Sequence, residues 1–185
     1  MSSAMRRGWP VAGCLVLTVA VLAFLHVRAR NADGGAMLKH VRNSFGFVID
    51  AAEDKAFPLF GAERERVWTT DWKPQFVHPL PAEDVTGAVF RIRHGHQDAI
   101  WVNTAFDKAD GHIQYAYFLP DVMVTLIDIQ LVPLSGERTQ ATVIYERTAL
   151  SANANAMVAQ HGERDSRMGP EWQAQINEYL QGNTP

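Results

Sequence analysis

Three histidines are the first side chains in this sequence whose type and spacing suggest chemistry. His94 and His96 come just before a predicted strand over residues 98–106, and His112 follows that strand. Imidazole nitrogens bind zinc, but a strand rising about 3.3 Å per residue would hold the two groups more than about 20 Å apart. The sequence therefore predicts no metal site, and no motif in it indicates another cofactor.

Nucleophilic catalysis finds little support in the sequence. There is no G-x-S-x-G motif around a serine, and the single cysteine, Cys14, lies in an apolar run near the N-terminus. A cyclase or dehydratase would need a base beside an apolar pocket. The inward-facing candidates on the predicted strands are Tyr145, Arg147 and, if its strand is so oriented, Asn103, whereas Asp128 is predicted to face outward. We assign no catalytic residue and favour a function other than catalysis.

The charge distribution argues against a nucleic-acid partner. Four of the 17 Lys and Arg residues lie in the first 30 positions, which hold no acid. The rest of the chain therefore has 13 basic and 20 acidic residues. Phosphate binding needs clustered basic side chains. We therefore expect no nucleic acid among the partners of the acidic part of the chain.

Residues 1–27 form an N-terminal segment of a different character. The apolar run, residues 11–27, lies within it, and the 19 residues from Trp9 to Val27 are just enough to span a bilayer. Because Arg28 follows directly as a stop-transfer flank, we expect a single-pass membrane anchor. The alternative is a signal peptide that is cleaved on export. Residues 28–42 are then a tether; the sequence leaves open which side of the membrane the domain faces, and its oligomeric state.

The rest of the chain has the order of elements of an α+β domain. Alternation of apolar and polar residues predicts strands, and an Asp50–Glu53 capping box predicts a short helix. The predicted strands are 43–49, 86–93, 98–106, 112–119, 122–132 and 138–150, and the predicted helices are 50–57, 62–68, 153–168 and 171–181. Short connections make the later strands antiparallel, and only the last helical stretch, interrupted at Gly169-Pro170, is long enough to cover their apolar face.

This order, together with several local motifs, resembles the START-like or SRPBCC superfamily of polyketide cyclases/dehydrases and lipid-transport domains. The motifs are "FPLF" (57–60), the E-x-x-W-x-x-x-W-x-P pattern of Glu65, Trp68, Trp72 and Pro74, and "YERTALS" (145–151) before the last helix. The resemblance implies a helix-grip fold over residues 43–181, in which a curved antiparallel sheet wraps the C-terminal helix around an apolar cavity. Members of the superfamily mostly bind hydrophobic small molecules, and a minority are enzymes.

Strand alternation indicates which side chains face the predicted cavity. Three tyrosines fall on inward faces, where a hydroxyl needs a hydrogen-bond partner. For Arg147 two hypotheses stay open: a strand end that reaches solvent, or a cation that holds an acidic head group of a ligand. Trp68 and Trp72 are either core residues or ligand contacts. The candidate ligand-binding residues are Phe90, Tyr115, Tyr117, Ile127, Ile129, Val143, Tyr145, Arg147, Trp172, Trp68 and Trp72.

The sequence favours binding or transfer of a hydrophobic small molecule, a lipid or a polyketide-like compound, in a cavity between the sheet and the C-terminal helix. The first alternative is a polyketide cyclase/dehydratase-like enzyme, and the second is a structural or partner-binding module with a closed core. If the inward tyrosines line a cavity, truncating Tyr117 should lower ligand affinity more than stability.

Overall fold

The computed structural model describes residues 37–182. Seven strands, three α-helices and three short 3-10 helices follow one another within this range. The strands are β1 (His40–Ile49), β2 (Gln75–His78), β3 (Val89–His94), β4 (Gln97–Asp107), β5 (His112–Leu119), β6 (Met123–Leu134) and β7 (Arg138–Ala149). The α-helices are α1 (Glu53–Ala56), α2 (Asn155–Asp165) and α3 (Gly169–Leu180), and the 3-10 helices are Phe57–Phe60, Arg64–Val67 and Ala152–Ala154.

All seven strands belong to one antiparallel sheet in the order β1-β7-β6-β5-β4-β3-β2. The short connections between β3 and β7 therefore make neighbours of consecutive strands, as predicted. The first strand closes against the last one, with Phe45 opposite Val143. The sequence did not predict β2, because its four residues are mostly exposed and too few to show alternation.

The inner face of the sheet is the predicted one. On β5, β6 and β7 the buried residues alternate with more exposed ones in the predicted phase, and Ile127 pairs with both Tyr115 and Tyr145 across the neighbouring strands. On β4, where the orientation was open, Trp101 and Asn103 point inward and Ile100 is exposed. A register shift between Asn103 and Ala105 distorts this strand.

The predicted capping box at residues 50–53 is wrong. The first helix is capped by Ala52 without a side-chain hydrogen bond, and the backbone N–H of Asp50 instead donates to Oδ1 of Asn177 on α3, at 3.0 Å. The acceptor for the Asp50 N–H is thus Asn177, distant in sequence, and not the nearby Glu53 of the predicted capping box. The second predicted helix, 62–68, is a single 3-10 turn, Arg64–Val67.

The C-terminal stretch is two helices that both lie against the inner face of the sheet at β1. The interruption falls just before the predicted position: α2 ends at Asp165, and Gly169-Pro170 begins α3. Proline is tolerated in the first helical turn, where its missing N–H would have no partner. At Gly169 the backbone comes so close to β1 that an added Cβ would lie 3.1 Å from the carbonyl oxygen of Gly46.

The predicted membrane anchor, residues 11–27, lies outside the described residues. Among residues 37–182, no helix has the length and apolar character needed to cross a bilayer.

Candidate functional site

A pocket of about 440 Å³ opens between the sheet, helices α2 and α3, and the segment that follows the second 3-10 helix. Its wall combines aromatic rings with titratable side chains. Ligand sites in proteins typically have volumes of about 300–1,000 Å³ and a few placed polar groups. Six aromatic residues line it: Trp68, Trp72, Trp101, Tyr117, Tyr145 and Trp172.

The rings of the wall contact one another closely. Trp101 stacks on Tyr117 with centroids 4.5 Å apart, and the Trp72 ring meets Trp101 edge-on at 5.3 Å. On the side of α3, Trp172 contacts Trp68 at 5.6 Å. These contacts join the sheet, the loop segment and the last helix into one aromatic surface.

Trp68 and Trp72 are fixed by hydrogen bonds to the same short segment. The indole Nε1 of Trp68 donates to the carbonyl of Leu59 at 2.7 Å, and that of Trp72 donates to the carbonyl of Ala62 at 2.6 Å. Trp68 is buried, whereas Trp72 is half-buried. Both residues therefore pack in the core and also border the pocket. A role in the core and a contact with a ligand are compatible for these two tryptophans.

Arg147 is buried at the pocket wall and has a full set of partners. Its Nε and Nη2 donate to the two carboxylate oxygens of Asp165, at 2.6 and 2.8 Å. Its Nη1 donates to the hydroxyls of Tyr117 and Thr125, at 3.3 and 3.1 Å. The guanidinium also lies 4.6 Å from the ring centroid of Tyr145. Arg147 is thus neither a free cation nor a residue that reaches solvent.

The ion pair changes the proton affinities around it. Burial opposes the charge of Arg147, but hydrogen bonding and attraction to Asp165 raise the pKa of Arg147 overall. Desolvation, then repulsion by Arg147, lowers the pKa of His94 at the pocket rim and of half-buried His161 on α2. Both imidazoles are therefore neutral at neutral pH.

Glu65, on the second 3-10 helix, is the acidic group of the pocket wall that is only half-buried yet strongly desolvated, and it has no ion-pair partner among residues 37–182. Desolvation, with repulsion by Asp84, raises the pKa of the half-buried Glu65 to about 8. At neutral pH the Glu65 side chain is therefore mostly a neutral carboxylic acid, which can donate a hydrogen bond.

The structure brings together only part of the predicted site. Six candidates line the pocket: Tyr117, Tyr145, Arg147, Trp172, Trp68 and Trp72. The other five, Phe90, Tyr115, Ile127, Ile129 and Val143, are buried in the core outside its wall. Tyr115 shows the reason, since its hydroxyl donates to the carbonyl of Phe60 at 2.8 Å and is satisfied by the protein itself.

The polar residues of the wall that sequence reasoning missed include four with a direct bearing on its charge: the acids Glu65 and Asp165, and His94 and His161. The search for an inward base looked only at strand alternation, and three of these residues lie on helices. One signal was present, because Glu65 stands three residues before Trp68 in the motif that carried the resemblance. Asp128 does face outward, where it accepts hydrogen bonds from His112 and Gln114.

The fold is that of the SRPBCC class, also called Bet v1-like, as the sequence resemblance predicted. The sequence itself matches no family model and no curated protein. The structural likeness therefore defines the fold alone.

Three solved structures illustrate that likeness. The Mll3558 protein of Rhizobium loti superposes with a TM-score of 0.53 at 18% identity, over 76% of this chain and 99% of that one. Norcoclaurine synthase from Thalictrum flavum, in complex with dopamine and hydroxybenzaldehyde, gives a TM-score of 0.58 at 8% identity, over 100% and 99%. Ara h 8.0201 gives 0.54 at 12%, over 78% and 100%.

Proposed function

We propose that this protein binds a small hydrophobic molecule with an aromatic ring in the pocket between the sheet and the C-terminal helices. The observation that carries the proposal is the pocket itself, about 440 Å³ in volume and walled by six aromatic side chains. Aromatic rings bind flat apolar ligands through large contact areas and preferred edge or stacked arrangements. The volume suits a molecule of a few fused rings better than a long-chain lipid.

Two features of the wall support this choice. The exposed part of the half-buried Trp72 and Trp172 rings borders the pocket, and burying such apolar surface against a ligand is favourable. Both indoles contact other rings on the protein side, Trp101 and Trp68, so they are already held in place before a ligand binds. A preorganised wall costs little entropy on binding.

Catalysis on a polyketide-like compound is the second candidate, and Glu65 favours it. A carboxyl group whose pKa is raised to about 8 at the wall of an aromatic pocket can exchange a proton near neutral pH. Norcoclaurine synthase, which has this type of fold, forms a complex with two aromatic molecules, dopamine and hydroxybenzaldehyde. Fold alone does not assign chemistry, so this function remains second. A closed structural core, the third alternative, is disfavoured by the volume of the pocket.

The proposal is tested by titrating ethylnaphthalene into the full-length protein and following tryptophan fluorescence. We expect saturable binding that Trp72→Ala weakens about tenfold, since a ring contact of the wall is lost. The matched control is Phe118→Ala, which removes a half-exposed ring from the outer face of the sheet. All variants are compared in one buffer, so that partition of the probe into any detergent cancels. Absence of saturable binding, or equal weakening by both variants, would contradict the proposal.

A further inference from the structure

The charges inside the pocket cancel at neutral pH. The positive charge of Arg147 is matched by both oxygens of Asp165. The two imidazoles of the wall, His94 and His161, are neutral because desolvation and Arg147 lower their pKa values. Glu65 is mostly protonated for the reason given above. Exposed charges, such as Asp71 and Glu171, lie at the rim in contact with water.

Several hydrogen-bond donors of the wall are left without an acceptor. The Tyr117 oxygen accepts from Arg147, so its own hydrogen is free to donate elsewhere. The Tyr145 hydroxyl and the Glu65 carboxyl make no hydrogen bond to another residue within 37–182. The buried indole Nε1 of Trp101 likewise has no partner in that range. Buried donors normally find a partner, and here the pocket is where a ligand could supply one.

Resting on the binding function above, we propose that the pocket selects an uncharged aromatic molecule that carries an oxygen acceptor, with Glu65 and the hydroxyls of Tyr117 and Tyr145 as the donors available to that oxygen. The chemical class is an aromatic ketone, aldehyde or quinone. This replaces the earlier hypothesis that Arg147 holds an acidic head group.

An anionic ligand is disfavoured because the guanidinium of Arg147 is already occupied. Binding a carboxylate there would displace Asp165 and leave that acid buried without its partner, which is costly. The other two arginines of the lining, Arg93 and Arg164, are exposed at the rim, and the Nε of Arg93 lies 2.8 Å from the carboxylate of Asp98.

A cationic ligand would form an ion pair with Glu65 only if Glu65 lost its proton. The groups that surround Glu65 oppose this ionisation. Asp84 approaches Glu65 from the loop before β3, and its oxygens accept from the backbone N–H groups of Glu63 and Arg64, at 2.8 and 3.2 Å. Tyr115 on β5 and Tyr145 on β7 face it from the sheet. No basic side chain is among the groups that perturb Glu65, so nothing in its surroundings stabilises the carboxylate form.

Four probes of the same ring shape test the proposal on the full-length protein: acetylnaphthalene, ethylnaphthalene, naphthoate and naphthylmethylammonium, all substituted at one ring position. At about pH 7, acetylnaphthalene should bind about fivefold to tenfold more tightly than ethylnaphthalene, as expected for one net hydrogen bond. Both charged probes should bind more weakly than acetylnaphthalene. The ketone does not titrate, so any pH dependence belongs to the protein.

The role of Glu65 is tested by pH and by substitution. Since its pKa is about 8, raising the pH from about 7 to about 9 should weaken acetylnaphthalene binding about tenfold. Glu65→Gln keeps a donor but cannot ionise, so it should retain the affinity and abolish this loss. Glu63→Gln, on the same segment but outside the pocket wall, should behave as the wild type.

The outcomes separate this proposal from the one on which it rests. Equal affinity for the ketone and the ethyl compound, or tighter binding of either charged probe, would overturn the selection of an uncharged acceptor while leaving aromatic binding intact. An unchanged pH profile in Glu65→Gln would overturn the assignment of Glu65. If none of the four probes binds, the proposed function itself fails.

Discussion

Asp165, at the end of α2, places both of its carboxylate oxygens on the buried guanidinium of Arg147 in β7, with distances of 2.6 and 2.8 Å. Both residues are buried: Arg147 is 5% exposed and Asp165 is 2% exposed. The pair therefore ties the first of the two C-terminal helices to the sheet at the pocket wall. It also affects the electrostatic character of the pocket, because it neutralises the positive charge that Arg147 would otherwise present on the inner sheet face.

Asp165→Asn should destabilise the protein by about 3–5 kcal/mol, since it leaves the Arg147 charge buried without compensation. Urea unfolding at neutral pH measures the effect. Glu163→Gln, on the exposed side of the same helix, is the control and should change stability by less than about 0.5 kcal/mol. In the folded fraction of Asp165→Asn, naphthoate should bind more tightly than in the wild type. A small stability change together with unchanged naphthoate binding would contradict this account of the pair.

Tyr117 and Tyr115, two residues apart on β5, should separate binding from stability. Tyr117→Phe removes a donor to the ligand and should lower acetylnaphthalene affinity about fivefold to tenfold. Tyr115→Phe leaves the buried carbonyl of Phe60 without its donor, so it should lower stability by about 1–3 kcal/mol and leave affinity unchanged. Calorimetric titration and urea unfolding of both variants measure the two effects. If Tyr115→Phe lowered the affinity and Tyr117→Phe lowered only the stability, the ligand would contact Tyr115 rather than Tyr117, and the description of the pocket wall would be wrong.

The structure also refines the expected effect of truncating Tyr117 to alanine. Its ring is 5% exposed and stacks on Trp101 at 4.5 Å. The alanine variant should therefore lose packing energy as well as affinity, and the phenylalanine variant is the cleaner test of the hydroxyl.

Glu65 should make the stability of the wild type fall as pH rises. Its pKa in the folded protein is about 8, against an ordinary value of 4.5, so between these limits the folded state binds more protons than the unfolded state. Glu65→Gln lacks this linkage. Its stability relative to the wild type should rise from about pH 4.5 and level off above about pH 8, with a gain of about 4–5 kcal/mol.

Denaturant unfolding at a series of pH values measures this difference, and Glu63→Gln controls for the loss of one acid from the same segment. A stability difference between Glu65→Gln and the wild type that stays constant from about pH 5 to about pH 8 would show that the carboxyl group is ionised in the folded protein.

Much of the fold followed from sequence because strand alternation has a strict period of two. The inner faces of β5, β6 and β7 were predicted in this way. Alternation placed Arg147 on the inward side of β7, but left open whether its side chain reached solvent at a strand end. The failures were local. β2 is too short to show a pattern, and the backbone N–H of Asp50 donates to Oδ1 of Asn177 on α3 instead of taking part in the predicted cap.

The candidate site was harder to predict, because its polar half comes from other elements. The partner of Arg147 lies 18 residues later on a helix, and no spacing rule joins a strand position to a helix position at that separation. Strand alternation also gives the same prediction, an inward-facing side chain, for every second residue of a strand. It could not distinguish Tyr117, which borders the pocket, from Ile127 or Val143, which pack beneath it.

The apolar run at residues 11–27 remains a predicted anchor, and we propose that it holds the domain at a membrane. Full-length protein should stay in the membrane fraction after carbonate extraction, because a span of this length is inserted through hydrophobic transfer rather than charge. A variant lacking residues 1–27 should move to the supernatant. A released species that begins near Arg30 would show instead that the segment is a cleaved signal peptide.

The central claim is that aromatic ligands enter this pocket, and the indole N–H resonances of its four tryptophans report on that directly. Trp68, Trp72, Trp101 and Trp172 all line the wall, and single Trp→Phe variants assign their signals in ¹⁵N-labelled full-length protein. On titration with acetylnaphthalene we predict saturable shifts of these signals, with a large one at Trp101, whose N–H has no partner within residues 37–182. Signals that stay in place, or that drift linearly without saturation as the probe is added, would contradict the claim.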